Sequence, residues 1–517
     1  MKDKLFKKGL NRRHFLAGSA IAAGLTQLPA PLLASPKKGG TFRVSVNQGG
    51  TSDTLNPAEA NGSQQIMVGW ALRNNLTEIG PDNKLRAELA TDWQSDDAAT
   101  WIFQLRQGVT FHNGKTLGAE DVIASLNLHR GEDSTSGAKS LLAAVTEISA
   151  EGNSAVRITL SAPNADFPFI LSDYHFQIMP VGADGTVDTS GVGTGGYTLK
   201  EWNPGIKTVL SRNPDYWKEN AAYFDEVEVL LISDSAAATT ALVTGEIDAI
   251  QSAEYRTLSQ LERSNHVSIE SISGGFHPTF AMQTGMAPYN NRDVRLALKY
   301  GIDREAMVKR VLRGHGIVAN DHPVAPTMPY FDPDLEQRTY DPDKARYHLS
   351  KAGLESLDVS LSVSDSLFAG AVDAVTLYRE QALSGGIGIE VVREPNDGYW
   401  SDVWLKKPFF TSSWGARPVP DMIFSTAYAA KADWNETQFN NEQFEQLMVA
   451  ARSELDESKR ARMYADMQLI LRDEGGAVIP FFRNFVYARR KNIERSPEVA
   501  SNWSLDGYKA IERWWQA

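Results

Sequence analysis

The chain has 517 residues, 42% of them apolar and 22% charged, with a formal net charge of −12 and no cysteine. That length exceeds what one hydrophobic core supports, so two or three lobes are expected. The acidic balance argues against a nucleic-acid surface or a polybasic membrane patch, and the lack of cysteine excludes disulfides, thiolate metal sites and a cysteine nucleophile.

The first predicted element is a leader. Lys2, Lys4, Lys7 and Lys8 precede Arg12-Arg13, then His14-Phe15-Leu16. A short apolar run, 17–28, ends in small residues up to Ala34. A basic start, an apolar core too short to span a bilayer and a small-residue cleavage site predict a secretory signal over residues 1–34. Arg12 and Arg13, followed by Phe-Leu, resemble the twin-arginine export signal, whose cargo crosses the membrane folded. The expected location is the periplasm. The absence of cysteine at the cleavage site rules out a lipoprotein anchor.

Alternating apolar residues then predict strands at Phe42/Val44/Val46, Trp101/Phe103/Leu105, Val156/Ile158/Leu160, Val227/Val229/Leu231 and Val359/Leu361/Val363. Helical spacing lies between them. Val122, Ile123 and Leu126 share a face. Met307, Val308, Val311 and Leu312 share another, opened by Asp303 as N-cap and closed by Gly314. Asp341-Pro342 opens a helix with Ala345, Leu349 and Ala352 inside and Gly353 at its end. Phe444, Leu447, Met448 and Ala451 mark one late helix; Met463, Met467, Ile470 and Leu471 mark another, stopped by Gly475-Gly476. Strands alternating with helices give an α/β protein.

Two glycine strings imitate nucleotide sites. Gly108 to Thr116 has its glycines six apart, where a phosphate-binding loop needs five, and Asn113-Gly114 predicts a turn. Gly191 to Gly196 is followed by the strand-like Tyr197-Thr198-Leu199, so the helix that would hold a pyrophosphate is missing. Neither His-Glu-x-x-His nor Gly-x-Ser-x-Gly occurs, and Asp332-Pro333-Asp334 reads as a turn. No cofactor and no metal are expected, and the common zinc-protease and serine-hydrolase signatures are absent.

The phrases line up with one family. Gly39-Gly40-Thr41-Phe42-Arg43-Val44 with Leu55-Asn56-Pro57, the run from Leu89 through Trp101 and Phe111-His112-Asn113-Gly114 to Val122, Gly193 to Tyr197, Arg212-Asn213-Pro214-Asp215-Tyr216-Trp217, Gly245-Glu246-Ile247-Asp248 and Tyr340-Asp341-Pro342 are similar to the large periplasmic solute-binding proteins of dipeptide/oligopeptide ABC importers, family 5 of the extracellular solute-binding proteins. The resemblance runs from about residue 39 to about 490. It implies a two-lobed periplasmic-binding-protein (Venus-flytrap) fold with an inserted subdomain. Residues 36–82, 190–280 and 491–517 would form lobe one, 83–189 the insert and 281–490 lobe two. It also implies a monomer that closes over a small solute and hands it to an inner-membrane ABC permease without breaking a bond.

Peptide-binding relatives carry, in lobe two, an aspartate three residues after a tryptophan, which pairs with the peptide's α-ammonium. Here the string is Trp414-Gly415-Ala416-Arg417. A guanidinium repels an ammonium and favours a carboxylate, a phosphate or a polyol oxygen. Asp421, four residues on, could take the ammonium instead, or Arg417 could simply pair with Asp421. Aromatics surround this place. Tyr399, Trp400, Trp414 and Trp434 are candidate contacts, and Gln283 is a candidate donor near the hinge. The candidate ligands are therefore short peptides, oligosaccharides and acidic opine-like conjugates. A secreted hydrolase and a chemosensory protein are the competing classes.

Overall fold

The computed structural model describes residues 36–517 apart from Arg256; the expected leader, with Arg12 and Arg13, lies outside the described residues. A mixed sheet of twelve strands dominates. From one edge its main path runs Ile387–Arg393, Leu357–Val363, Phe409–Trp414, Val267–Met282, Phe481–Arg490, Ala249–Ile250, Thr41–Val46, Glu226–Leu231, Lys207–Arg212 and Tyr197–Asn203. The strands predicted at 42–46, 227–231 and 359–363 are all in it. Their alternating residues are interior: Phe42, Val44, Val227, Val229, Leu361 and Val363 are fully buried.

Two long strands join the halves of this sheet. Val267–Met282 has 16 residues, about 50 Å of extended chain. Its first part pairs antiparallel with Phe481–Arg490, and its last part, His277 to Met282, pairs with Phe409–Trp414. The register breaks between Ile272 and Phe276. Glycine is required at the break: a Cβ on Gly274 would lie 2.7 Å from the Arg483 carbonyl oxygen. On one side of the crossing, Phe42, Met67, Leu72, Phe224 and Trp514 share a core. On the other, Phe280, Leu298, Leu361, Tyr378 and Phe410 share one, and Trp414, Phe424, Phe444, Tyr464 and Met467 another.

A separate four-stranded antiparallel sheet, ordered Ala90–Gln94, Thr100–Leu105, Ala155–Leu160, Val145–Ala150, packs Trp101, Phe103, Val156 and Ile158 into its own core with the helix Ala119–Asn127. The predicted helix openings hold. Asp303 accepts from Ala306 N–H, and Asp341 from Lys344 N–H with Pro342 in the first turn. The late helices are Glu442–Ser453 and Glu457–Glu474, the second stopped at Gly475. No described helix is long and apolar enough to cross a membrane.

The two glycine strings serve packing. Phe111 to Lys115 closes as a turn, with Phe111 N–H donating to Lys115 O and Gly114 N–H to Phe111 O. His112 N–H then donates to Gly193 O at 2.8 Å, bringing the strings together. A Cβ on Gly193 would meet Leu72 O at 2.2 Å, so the segment lies flush against the end of the helix Ser63–Leu72.

Candidate functional site

The strand Phe409–Trp414 delivers Ala416 and Arg417 to the register break at Gly274-Gly275, where an added Cβ on Gly275 would be 3.0 Å from Ala416 Cβ. Beyond it lies a cavity of about 30 Å³. Arg417 and Met328 form one side; Ile79, Asn83, Ser501 and Asn502, distant in sequence, form the other. The space holds a water or two, so a solute of ordinary size enters only if the walls part.

Arg417 is partly buried and pairs with no carboxylate among the described residues; its Nη1 donates only to its own neighbour's carbonyl, Ala416 O, at 3.3 Å. Burial depresses the guanidinium pKa, and Asp173 is the acidic group that opposes this by favouring the cation. Asp421 is already occupied: Arg452 Nε donates to its Oδ1 at 2.8 Å. The expected alternative partner for Arg417 is thereby removed, and so is a free carboxylate at that position.

The other predicted contacts fall into two groups. Trp434 and Trp400 keep 48% and 52% of their surface exposed. They bracket Trp404, with ring centroids 5.9 and 5.5 Å away, and Trp434 also packs on Trp414 at 6.1 Å. Trp414 is 5% exposed, Tyr399 1%, and Gln283 is buried. Tyr399 O–H donates to Thr411 O at 2.7 Å, and Gln283 Nε2 donates to Leu405 O at 2.8 Å. These three side chains have internal hydrogen-bond partners, a structural occupation. Trp414 and Trp404 both donate their indole N–H to the buried carboxylate of Glu436, at 3.1 and 3.2 Å.

Sequence inspection missed the facing wall. Ser172, Ile79 and Asn502 line a second small cavity that shares Ile79 and Asn502 with the first. Asp173 and Tyr174 follow directly. Tyr174 packs edge-on against Trp503 at 6.1 Å, and Trp503 stacks on Tyr508 at 5.7 Å while staying 37% exposed. These residues are far from Arg417 along the chain, and only their position in the fold identifies them. A buried ion pair joins two segments far apart in sequence, Arg460 Nη2 to Asp166 Oδ1 at 2.7 Å, beside a hydrogen bond from Ala165 N–H to Arg452 O at 2.8 Å.

One acidic cluster has metal-like spacing. Carboxylate oxygens of Glu78, Glu88 and Glu512 lie within 4.8 Å of one another. Lys218 contacts all three, Lys509 contacts Glu78 and Glu88, and Arg513 contacts Glu78. Three cations answer three carboxylates, so the cluster is an ion-pair network that leaves no charge for a metal.

Residues 84–436 match the family model described as bacterial extracellular solute-binding proteins, family 5 Middle. Among curated relatives, the glutathione-binding protein GsiB of Salmonella typhi is 25% identical over 496 residues, covering 93% of this chain and 95% of that protein. GsiB of Escherichia coli K12 is 25% identical over 469 residues, covering 87% and 91%. Among solved structures, HbpA2 from Haemophilus parasuis superposes with a TM-score of 0.80 at 20% identity, covering 90% and 99%. The periplasmic binding protein DppA from Helicobacter pylori, solved with the peptide STSA, gives 0.68 at 20% identity, covering 93% and 99%.

Proposed function

The chain belongs to family 5 of the bacterial extracellular solute-binding proteins, and on that premise we propose that it is the periplasmic capture subunit of an ABC importer of the peptide class, specialised for a small solute that carries a carboxylate. One observation carries the choice of solute: Arg417 stands on the cavity between the walls without a protein anion to neutralise it. A partly buried guanidinium in that state gains most from a carboxylate, which it binds through two parallel N–H donors. The glutathione named for the GsiB relatives has this chemistry, with two carboxylates on a tripeptide frame. Trp434, packed on Trp414 three residues before Arg417, and Trp400, packed on Trp404, supply exposed flat apolar surface.

In this proposal residues 36–82, 190–280 and 491–517 form one lobe, 83–189 its insert and 281–490 the other, with the solute between. The strands Val267–Met282 and Phe481–Arg490 are the hinge. The solute leaves chemically unaltered, because closure needs only that it touch both lobes. Arg12 and Arg13 direct export by the twin-arginine route, the mature chain works as a monomer, and an inner-membrane permease receives the cargo.

Thermal shift of the mature protein against glutathione, trialanine, raffinose and octopine tests the proposal. A solute at a hundredfold excess over Kd adds about 2.7 kcal/mol. Stabilisation by glutathione or trialanine, with both recovered intact, is expected. Stabilisation by raffinose alone, or turnover of any probe, would overturn it.

A further inference from the structure

A short peptide or amino-acid conjugate carries an ammonium as well as a carboxylate, and Arg417 answers only the second. Most acidic groups near the cavity are committed. Asp421 is held by Arg452, Asp166 by Arg460, Glu436 by two indoles, and Glu78, Glu88 and Glu512 by Lys218, Lys509 and Arg513. Asp173 differs. Its Oδ1 accepts from His175 N–H at 3.0 Å and contacts His175 Nδ1 at 2.6 Å, which fixes the carboxylate's direction. Its Oδ2 has no hydrogen bond, and no lysine or arginine pairs with it, among the described residues.

Position agrees with this. Asp173 lies between Ser172, which lines the adjoining cavity, and Tyr174, which packs on Trp503 next to Asn502. It is near enough to Arg417 to favour the guanidinium's charge, yet the two form no ion pair. Two opposite charges, each with donor or acceptor capacity to spare, thus stand at adjoining cavities that share Ile79 and Asn502: Arg417 lines one, and Asp173 follows Ser172, which lines the other. A pair of this kind is unfinished: it repays its desolvation only when something bipolar completes it.

We infer that the cleft reads both poles of a zwitterionic solute, Arg417 taking its carboxylate and Asp173, positioned by His175, taking its ammonium; this deepens the capture function proposed above and rests on it. The polarity is reversed from the resemblance-based pattern, in which the lobe-two position held by Arg417 here takes the ammonium. Tyr174, next to Asp173, packs on Trp503, next to the cavity-lining Asn502, so this aromatic pair offers apolar surface beside the two cavities.

Isothermal titration calorimetry with trialanine, N-acetyltrialanine, trialanine amide and glutathione tests this on the mature wild type, Asp173→Asn and Arg417→Gln. Asparagine keeps the Oδ1 that accepts from His175, so the variant is expected to melt with the wild type. In the wild type, acetylation and amidation should each weaken binding about tenfold to a hundredfold. Asp173→Asn should bind free and acetylated trialanine alike while still preferring acid to amide; Arg417→Gln should do the reverse. An Asp173→Asn variant that still discriminates against the acetylated probe overturns the inference and leaves the capture function standing. So does one that loses every probe together with its thermal stability. A wild type that binds neither trialanine nor glutathione overturns both.

Discussion

Arg452 Nε donates to Asp421 Oδ1 across 2.8 Å, and the same guanidinium reaches Ser425 Oγ at 2.9 Å. This bond sets Arg452 apart from Arg417. Arg452 is committed to a carboxylate inside the fold, whereas Arg417 has no such partner among the described residues, as the proposed role in solute capture requires. Arg417→Ala should therefore leave the melting temperature within a degree or two of wild type while weakening a carboxylate-bearing probe such as glutathione by about 1.5–3 kcal/mol. Arg452→Ala should cost about 1.5–3 kcal/mol of unfolding free energy, because the largely buried Asp421 loses its counter-ion. Urea melts and calorimetry on both variants check the split. If Arg417→Ala destabilises as much as Arg452→Ala, Arg417 is structural.

The pair Asp166–Arg460 links the start of the helix Phe167–Ile170 to the helix Glu457–Glu474, far apart in sequence. Tyr464 O–H donates to Asp166 Oδ2 at 3.3 Å, and Arg460 Nη1 donates to Tyr330 Oη at 2.7 Å. Asp166, Arg460 and Tyr464 are buried, and Tyr330 is partly buried. Removing one member strands a buried charge, at about 3–5 kcal/mol, whereas replacing both with apolar side chains is close to neutral. Arg460→Met should expand the solute-free protein in small-angle scattering and weaken solute binding; Asp166→Leu with Arg460→Met should restore compactness. An unchanged scattering profile in Arg460→Met would show that the pair does not hold these segments together.

Much of the scaffold was legible because local rules sufficed. The period-two apolar strings at Phe42 and Val227 became interior strands, and Asp303 and Asp341 cap helices as their side-chain chemistry dictates. The order of the strands was not legible, since pairing Val267–Met282 with Phe481–Arg490 spans some two hundred residues and leaves no local mark. The site divides the same way. Arg417 stood out because it breaks a pattern carried by neighbouring residues. Asp173 and Trp503 did not, because their meaning depends on which segments meet. Trp414 and Tyr399 were conspicuous as aromatics, but ring size does not distinguish a surface from an interior, and both lie inside.

Glu436 is a buried carboxyl that accepts from Trp404, Trp414 and Thr279. Burial pushes its pKa up, and these donors push it back down. Its work is to hold two indoles beneath the exposed Trp434. Glu436→Gln retains one acceptor and should cost about 1–2 kcal/mol; Glu436→Leu leaves both indole N–H groups unpaired and should cost about 2–5 kcal/mol. The Leu variant should also change the near-ultraviolet tryptophan circular dichroism. Equal stability of the two variants would mean that these hydrogen bonds contribute little.

Acid should weaken the fold through His277 and His322. Both are buried, and burial lowers their pKa from 6.5 to about 4 and about 3. For His277, Arg417 pushes in the same direction. For His322, Asp321 opposes while His277, Arg472 and Lys299 reinforce. The geometry fits neutral rings: His277 Nδ1–H donates to Gly275 O at 2.9 Å, while His277 Nε2 and His322 Nδ1 have no hydrogen-bond partner among the described residues. Above pH 6.5 folded and unfolded states both hold the rings neutral, and there is no penalty. Between pH 6.5 and about 4 the unfolded chain binds the protons and the folded chain does not, so stability falls as the pH falls. Each ring contributes at most about 1.4 kcal/mol per pH unit. The raised carboxyl pKa values of Asp166, Asp248, Glu436 and Asp506 act in the opposite sense, so the difference between wild type and variant is the quantity to read. His277→Gln should flatten the loss between pH 6.5 and 4 by up to that amount, measured by urea unfolding at half-unit steps. Parallel curves for variant and wild type across that range would show that His277 takes up its proton as readily in the folded protein as in the unfolded chain.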